Sequence, residues 1–312
     1  MTIIKIQKFH TQPFRCIHHS TIMFDGIKFS YNDTFIANLL INDEKLNINK
    51  IVNSDGEIKS FYGNFMGLKL QIFPSGHIII KGSLHKYYNQ GLHNYNDFDI
   101  VSLKCAIDSL QKDFYLDPKL ARIENIEFGV NISPTFDVDE FLDHLMWFRN
   151  KPFNIMATKG CGNGREYYFN QYGIKIYNKA LQYGLPQNLL RVEKKITTMC
   201  ALKFGKICLF DLLKIRLWDH CKCSLIEMFK EIIINEPFDL KSLKKTELKN
   251  YYSVVDKSQW LGINKDKRKT RKKGFNALIS KYGSRKYQLN IQNLIHSKCN
   301  ELKCTPFDAI TK

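Results

Sequence analysis

The hydrophobic pattern opens on a period of two. Residues 22–31, IMFDGIKFSY, alternate apolar and polar side chains and predict a strand. The same alternation returns in GLKLQIF and HIIIKGSLHKYY, which flank Pro74, Ser75 and Gly76, a turn that joins them as a hairpin. The period then lengthens. Ile100, Leu103, Ile107, Leu110 and Phe114 recur at helical spacing, with Asp97 or Asp99 placed to cap the helix start. NIEFGVNI returns to strand: Ile126, Phe128, Val130 and Ile132 share one face, and Asn125, Glu127, Gly129 and Asn131 the other. SPTFDVDEFLDHLMWF predicts a second helix, capped by Thr135 or Asp137, with Asp139 and Glu140 in its first turn. A glycine-rich loop, KGCGNGRE, leads to two further half-buried strands, GIKIYNK and LLRVEKKI, joined through ALQYGLPQN.

From about Leu202 the pattern is helical, as in CSLIEMFKEIII and FNALISKYG, with Pro237 as a break. NKDKRKTRKKG sets seven basic residues against Asp266 and reads as a solvated, flexible arm. The expected fold class is α+β: a largely antiparallel sheet with helices packed on one face, over residues 1–210. A basic, mainly helical region, 211–312, follows for DNA binding or partner recruitment. If the strands adjoin, the face turned away from the helices carries Ser83, His85, Glu127, Asn131, Tyr177 and Glu193.

Composition narrows the partners. The 312-residue chain is 44% hydrophobic and 13% aromatic, which excludes a disordered protein. No apolar run approaches the roughly 18 residues a membrane helix needs. The start, MTIIKIQKFHTQPF, has a charge within its apolar stretch and no small-residue cleavage site, so no signal peptide is expected and the expected location is the cytosol. A net charge of +17, from 47 Lys and Arg against 30 Asp and Glu, attracts polyanions, of which nucleic acid is the commonest in that compartment. The bland alternative is a Lys-rich composition inherited from an AT-rich genome. Nine scattered cysteines read as reduced thiols, and HCKC (His220, Cys221, Cys223) lacks the second ligand pair that zinc modules use, so helix packing is its expected role.

The polar face invites chemistry. Lys175, Tyr177 and Lys179 point the same way on one strand, and flanking cations favour a phenolate and can hold a phosphate against its oxygen. Glu127 and Glu193 on neighbouring strands suit Mg²⁺ or Mn²⁺, with His85 as a third ligand, and such an ion polarises a phosphodiester under tyrosine attack. The plainer reading of each glutamate is a salt bridge, for example Glu193 with Lys175. Tyr168 and Tyr172 are alternative nucleophiles or base-stacking platforms. GCGNGR is either a phosphate cradle or a hairpin tip.

On these motifs the chain resembles the replication initiators of filamentous phages, the gene II type, which are rolling-circle nicking and joining endonucleases. MFDGIKF, IIIKGSLHKYYNQGLHNYNDFD, IENIEFGVNI, IKIYNKALQYG and LLRVEKKI match family segments in order, over about Ile22 to Phe210. The resemblance implies a metal-dependent attack by Tyr177 on one origin strand, leaving a 5′-phosphotyrosine and a free 3′-OH, with later strand joining. It implies Glu127 as a metal-site carboxylate, Glu193 and Lys179 as active-site neighbours, and His93 and Asn94 in the substrate groove. Expected DNA contacts are Lys86, His93, Asn94, Lys175, Arg191, Lys267, Arg268 and Arg271; expected partners are duplex and single-stranded origin DNA with a host helicase and polymerase, in the bacterial cytosol and without a membrane. The sequence departs from the pattern at Leu92, inserted in QGLHN, and has no His–apolar–His pair. The rival reading is a non-enzymatic DNA-binding replication or copy-control protein.

Overall fold

The structure is a computed structural model and describes residues 22–156, 163–283 and 286–301. Expectations placed on the N-terminal segment and on the first part of the glycine-rich loop lie outside those residues. The chain opens with Met23–Asn32 (β1), Thr34–Ile41 (α1), Asn49–Val52 (β2), Ile58–Phe65 (β3), Leu68–Ile72 (β4) and His77–Ser83 (β5). Leu84–Tyr88 (α2), Ile100–Asp113 (α3) and Arg122–Ile132 (β6) follow. Next come Val138–Asp143 (α4), Leu145–Phe148 (β7), Lys151–Pro152 (β8), Asn154–Ile155 (β9), Gly164–Tyr168 (β10), Tyr172–Asn178 (β11), Lys179–Tyr183 (α5) and Leu190–Ile196 (β12). The rest is Ile215–Lys230 (α6), Ile232–Ile234 (β13), Lys245–Val255 (α7), Lys257–Leu261 (α8), Lys265–Tyr282 (α9) and Tyr287–Glu301 (α10).

Ten strands form one antiparallel sheet in the order β2-β3-β4-β5-β1-β6-β12-β11-β10-β9. A second sheet of three strands runs β13-β7-β8. The expected α+β class holds, with a largely helical C-terminal region. The periodicity explains one face of the large sheet. Ile126, Phe128 and Val130 of β6, Ile174 and Ile176 of β11, and Val192 of β12 are all fully buried. They share one core with Leu103 and Leu110 of α3, Trp218 and Leu225 of α6 and Ile291 and Ile295 of α10. Thus two C-terminal helices pack in the sheet's own core. α7, α8 and α9 instead gather a second cluster, Tyr251, Val254, Trp260, Phe275 and Leu278, against Trp147 of β7.

Three local expectations are corrected. The second predicted helix stops at Asp143, because LMWF is drawn into β7 by pairing with β13. His85 is not on the sheet face: the Ser83 side chain accepts from Lys86 N at 2.9 Å, capping α2 and starting a helix where the alternation suggested more strand. NKDKRKTRKKG is no flexible arm. Asn264 caps α9 by accepting from Lys267 N, and the run forms that helix's first turns, anchored by burial of Phe275 and Leu278.

The opposite face of the sheet is kept shallow by glycine. A Cβ at Gly129 would lie 2.2 Å from Val192 O and 2.9 Å from Glu193 Cα, against backbone that has no rotamer to yield. Gly129→Ala is therefore expected to cost about 1–3 kcal/mol, as overpacked sites do. A urea midpoint unchanged from wild type would contradict it.

Candidate active site

Strand pairing assembles the site. Tyr177 stands opposite Arg191, Lys175 opposite Glu193, and Lys195 opposite Glu127, so residues from β11, β12 and β6 share the polar face. β10 adds Gly164 opposite Tyr177, Glu166 opposite Lys175 and Tyr168 opposite Gly173. β1 contributes through an irregularity. Phe24 and Ile27, three residues apart, both pair with apolar-face residues of β6, with a shift in register between them. That extra residue leaves Asp25 and Gly26 together on the polar side.

These side chains form an ordered chain of alternating charge. Asp25 Oδ2 accepts from Arg191 Nη2 at 2.5 Å and from Asn94 Nδ2 at 2.6 Å, and its Oδ1 accepts from Ser83 Oγ. Arg191 Nε lies 2.5 Å from Glu193 Oε1. Glu193 Oε2 and Glu127 Oε2 both meet Lys175 Nζ, at 2.6 and 2.7 Å, and Lys195 Nζ meets Glu127 Oε1 at 2.6 Å. Arg191, Glu193 and Lys179 are essentially inaccessible to solvent. Burial pushes the Glu193 carboxyl up, but Lys175 and Arg191 outweigh it and hold it well below the usual carboxylate range. Burial would likewise lower Lys175, yet Glu193 and Glu127 raise it well above an ordinary lysine. Lys179 has no such partner. Its Nζ donates to Asn94 Oδ1 at 2.6 Å and Gln182 Oε1 at 2.9 Å, and burial with the Arg191 charge pushes it down to about 7.

The two tyrosines on this face differ. Tyr177 is 5% exposed; its hydroxyl donates to Glu193 Oε1 at 3.3 Å and lies 3.5 Å from Lys179 Nζ. Burial, then the Glu193 charge, raises it well above an ordinary phenol. Tyr168 is 39% exposed, and its ring packs over Gly173, where an added Cβ would lie 2.1 Å from Cδ1. Burial raises Tyr168 too, and Lys175 opposes that rise. Tyr172 has the other parity on β11 and packs with Phe169 on the helix side.

A groove of about 650 Å³ runs over this face. Both Tyr168 and Tyr177 line it, with Glu127, Glu166, Glu193, Lys175 and Lys179. Lys28, Lys69, Lys81, Lys86 and Lys195 supply its basic walls. Of the residues expected from sequence, Tyr177, Lys179, Glu127, Glu193, Lys86, Asn94 and Lys175 thus meet at one groove. Arg191 lies beneath it, bound on both sides by acids. Asn94 is an internal clamp: its amide oxygen accepts from Lys179 Nζ and, at 2.8 Å, from the Tyr183 hydroxyl, and its carbonyl accepts from Arg191 Nη1 at 2.7 Å. His93 stacks on Tyr95, with ring centroids 4.1 Å apart, and does not line the groove. Lys267, Arg268 and Arg271 lie apart, on α9.

His85 is buried, stacked on Phe98, with Nε2 at 2.8 Å from Asn96 Oδ1 and Nδ1 without a hydrogen-bond partner among the described residues. Burial lowers its pKa to about 4, against 6.5 for an ordinary histidine. Between those values the unfolded chain binds the proton that the folded chain refuses, so stability falls as pH drops through that window. The urea midpoint of wild type should fall more steeply from pH 6.5 to 4 than that of His85→Gln; parallel curves would exclude this.

The donor set does not fit a divalent ion as it stands. Lys175 Nζ occupies the place between Glu127 and Glu193, and the remaining oxygen of each acid is held by Lys195 or Arg191. Among the described residues no group of three or more His, Cys, Asp or Glu is arranged to hold a metal. HCKC lies on α6, where Cys221 is buried and the His220 ring bonds the Leu202 carbonyl. No helix among the described residues is long and apolar enough to cross a membrane.

Sequence reasoning missed Asp25. The available signal was an acid inside the apolar run of MFDGIKF followed by glycine, which marks a strand irregularity.

No protein-family model matches the chain, and no curated protein matches it. Among solved structures, a rolling-circle replication initiator protein from Geobacillus stearothermophilus aligns over 89% of this chain and 97% of its own, at 10% identity and a TM-score of 0.44. Methanococcus jannaschii TBP aligns over 55% of this chain and 87% of its own, at 13% identity and a TM-score of 0.25. Both likenesses are remote.

Proposed function

We propose that the chain is a DNA nicking and joining enzyme that initiates rolling-circle replication, and that Tyr168 is its attacking residue. The observation that carries this reading is the groove itself: a partly exposed tyrosine lining it together with carboxylates, on a sheet face walled by lysines. The order of the gene II type segments along the sequence points the same way.

The roles divide by accessibility. Lys28, Lys69, Lys81 and Lys86 line the groove and seat the phosphates of a single strand. Tyr168 Oη bonds to phosphorus while its proton passes to the carboxylate of Glu166, two residues away on the same face of β10 and lining the same groove. The P–O3′ bond breaks, the 3′ oxygen takes a proton from water while Glu166 releases to solvent the one it received, and the 5′-phosphate remains esterified to tyrosine. Lys175, paired with two acids in the free protein and lining the same groove, supplies a cation for the charge developing on phosphorus. Tyr177, buried against Glu193, holds that carboxylate and Lys179 in place. The ester keeps the energy of the broken bond, so a returning 3′-OH can reverse the step and close the strand.

The test is a covalent adduct. The protein is incubated, with Mg²⁺ or Mn²⁺ in the buffer, with supercoiled DNA of its replicon, and protein and DNA are separated under denaturing conditions. A nick with a tyrosine-linked 5′ end supports the reading. Sequence-specific binding with neither nick nor adduct would favour the copy-control alternative.

A further inference from the structure

The basic run on α9 divides into two sets. Arg271 Nη1 donates to Ser253 O at 3.1 Å and Gln259 O at 2.8 Å, and Arg268 Nη1 donates to Ile263 O. Lys272 Nζ donates to Lys230 O at 3.2 Å. These three tie α9 to the turn before it and to α6, α7 and α8. Lys265, Lys269 and Lys273 recur every four residues and are exposed. Thr270 and Asn276 are exposed beside them, and a shallow groove of about 740 Å³, lined also by Asp266 and Lys272, runs along this side.

The frame around α9 is rigid. A turn of Gly262, Ile263 and Asn264 separates it from α8. Trp260, Phe275 and Leu278 pack with Trp147, whose Nε1 donates to Val254 O at 3.0 Å. Glu247 of α7 holds the far end, accepting from Lys281 Nζ and the Tyr282 hydroxyl, both at 3.1 Å. An 18-residue helix is about 27 Å long, and its free side presents a stripe of ammonium groups flanked by a hydroxyl and an amide.

We infer that the exposed side of α9 docks in the major groove of duplex DNA and reads sequence there. A helix fits that groove; lysines answer the phosphates, while an asparagine amide can pair both N6 and N7 of adenine and a threonine can meet a thymine methyl. A glycine-containing turn ahead of the inserted helix is the arrangement of helix-turn-helix readers. The inference rests on the proposed function only in taking origin DNA as the partner; it assigns duplex recognition to a surface separate from the tyrosine groove.

The experiment is selection of binding sites from a random-sequence 30-base-pair duplex pool with the full chain. Wild type is expected to enrich a consensus. Thr270→Ala with Asn276→Ala should lose information at adjacent positions of it. Lys265→Ala, Lys269→Ala and Lys273→Ala together should weaken every duplex alike and flatten the slope of log affinity against log salt by roughly 2–3. Nicking of single-stranded oligonucleotides should be unchanged in all these variants. The inference is overturned if wild type enriches no consensus, or if the variants keep both its information and the salt slope. A wild type that nicks no DNA while the consensus and its shifts in the variants appear as expected would instead sink the nuclease reading alone.

Discussion

Tyr168→Phe is expected to lose the covalent adduct and to slow nicking by on the order of 10³-fold or more, the scale on which removing a nucleophile acts. The hydroxyl is removed from a ring 39% exposed on β10, so the fold should hold and circular dichroism should be unchanged. Tyr177→Phe should behave differently. It takes a donor from Glu193 inside a buried network, so nicking should fall less, the adduct should persist, and thermal stability should drop. Peptide mapping of the adduct decides between them. If the DNA is found on Tyr177, or if Tyr168→Phe nicks at the wild-type rate, the assignment moves to the buried tyrosine and an opening motion is then required to expose it.

The largest stability effect should come from Arg191. Its guanidinium lies between Asp25 and Glu193, with no exposed surface on the arginine. Arg191→Ala leaves two buried carboxylates short of their counter-charge, and losing one partner of such a set costs about 3–5 kcal/mol. The loss should shrink when Glu193→Gln is added, because the orphaned charge is then removed. Denaturant midpoints of the single variants and the double variant form the cycle that measures this. Additive losses would show that the arginine acts through packing rather than through its acids.

The two results bear on one design. The network from Asp25 to Glu127 places fixed charges under a groove while leaving Tyr168 at its surface. Burial of Arg191 and Glu193 fixes the platform, and Lys69, Lys81 and Lys86 line the groove above it. A fixed floor beneath surface lysines suits a substrate that must be held, cut and later rejoined.

Sequence alone determined the elements whose residues repeat with a clear period. β4, β5, α3, β6, β11 and β12 follow from alternation or helical spacing, because in each the burial of one face dictates the pattern. It also determined the presence of tyrosine, lysine and glutamate on a common polar face, since parity along a strand fixes direction. Tertiary structure decided what parity cannot. Pairing of β10 beside β11 brought in Tyr168, and the irregularity in β1 turned Asp25 onto the working face. Contacts distant in sequence converted NKDKRKTRKKG from an apparent arm into a pinned helix, because backbone carbonyls of α7 and α8 bind Arg271 and buried Phe275 and Leu278 anchor its far side. The depth of Tyr177 was likewise invisible in KIYNK: burial is set by what neighbouring strands and loops place above a side chain, and no local pattern carries that information.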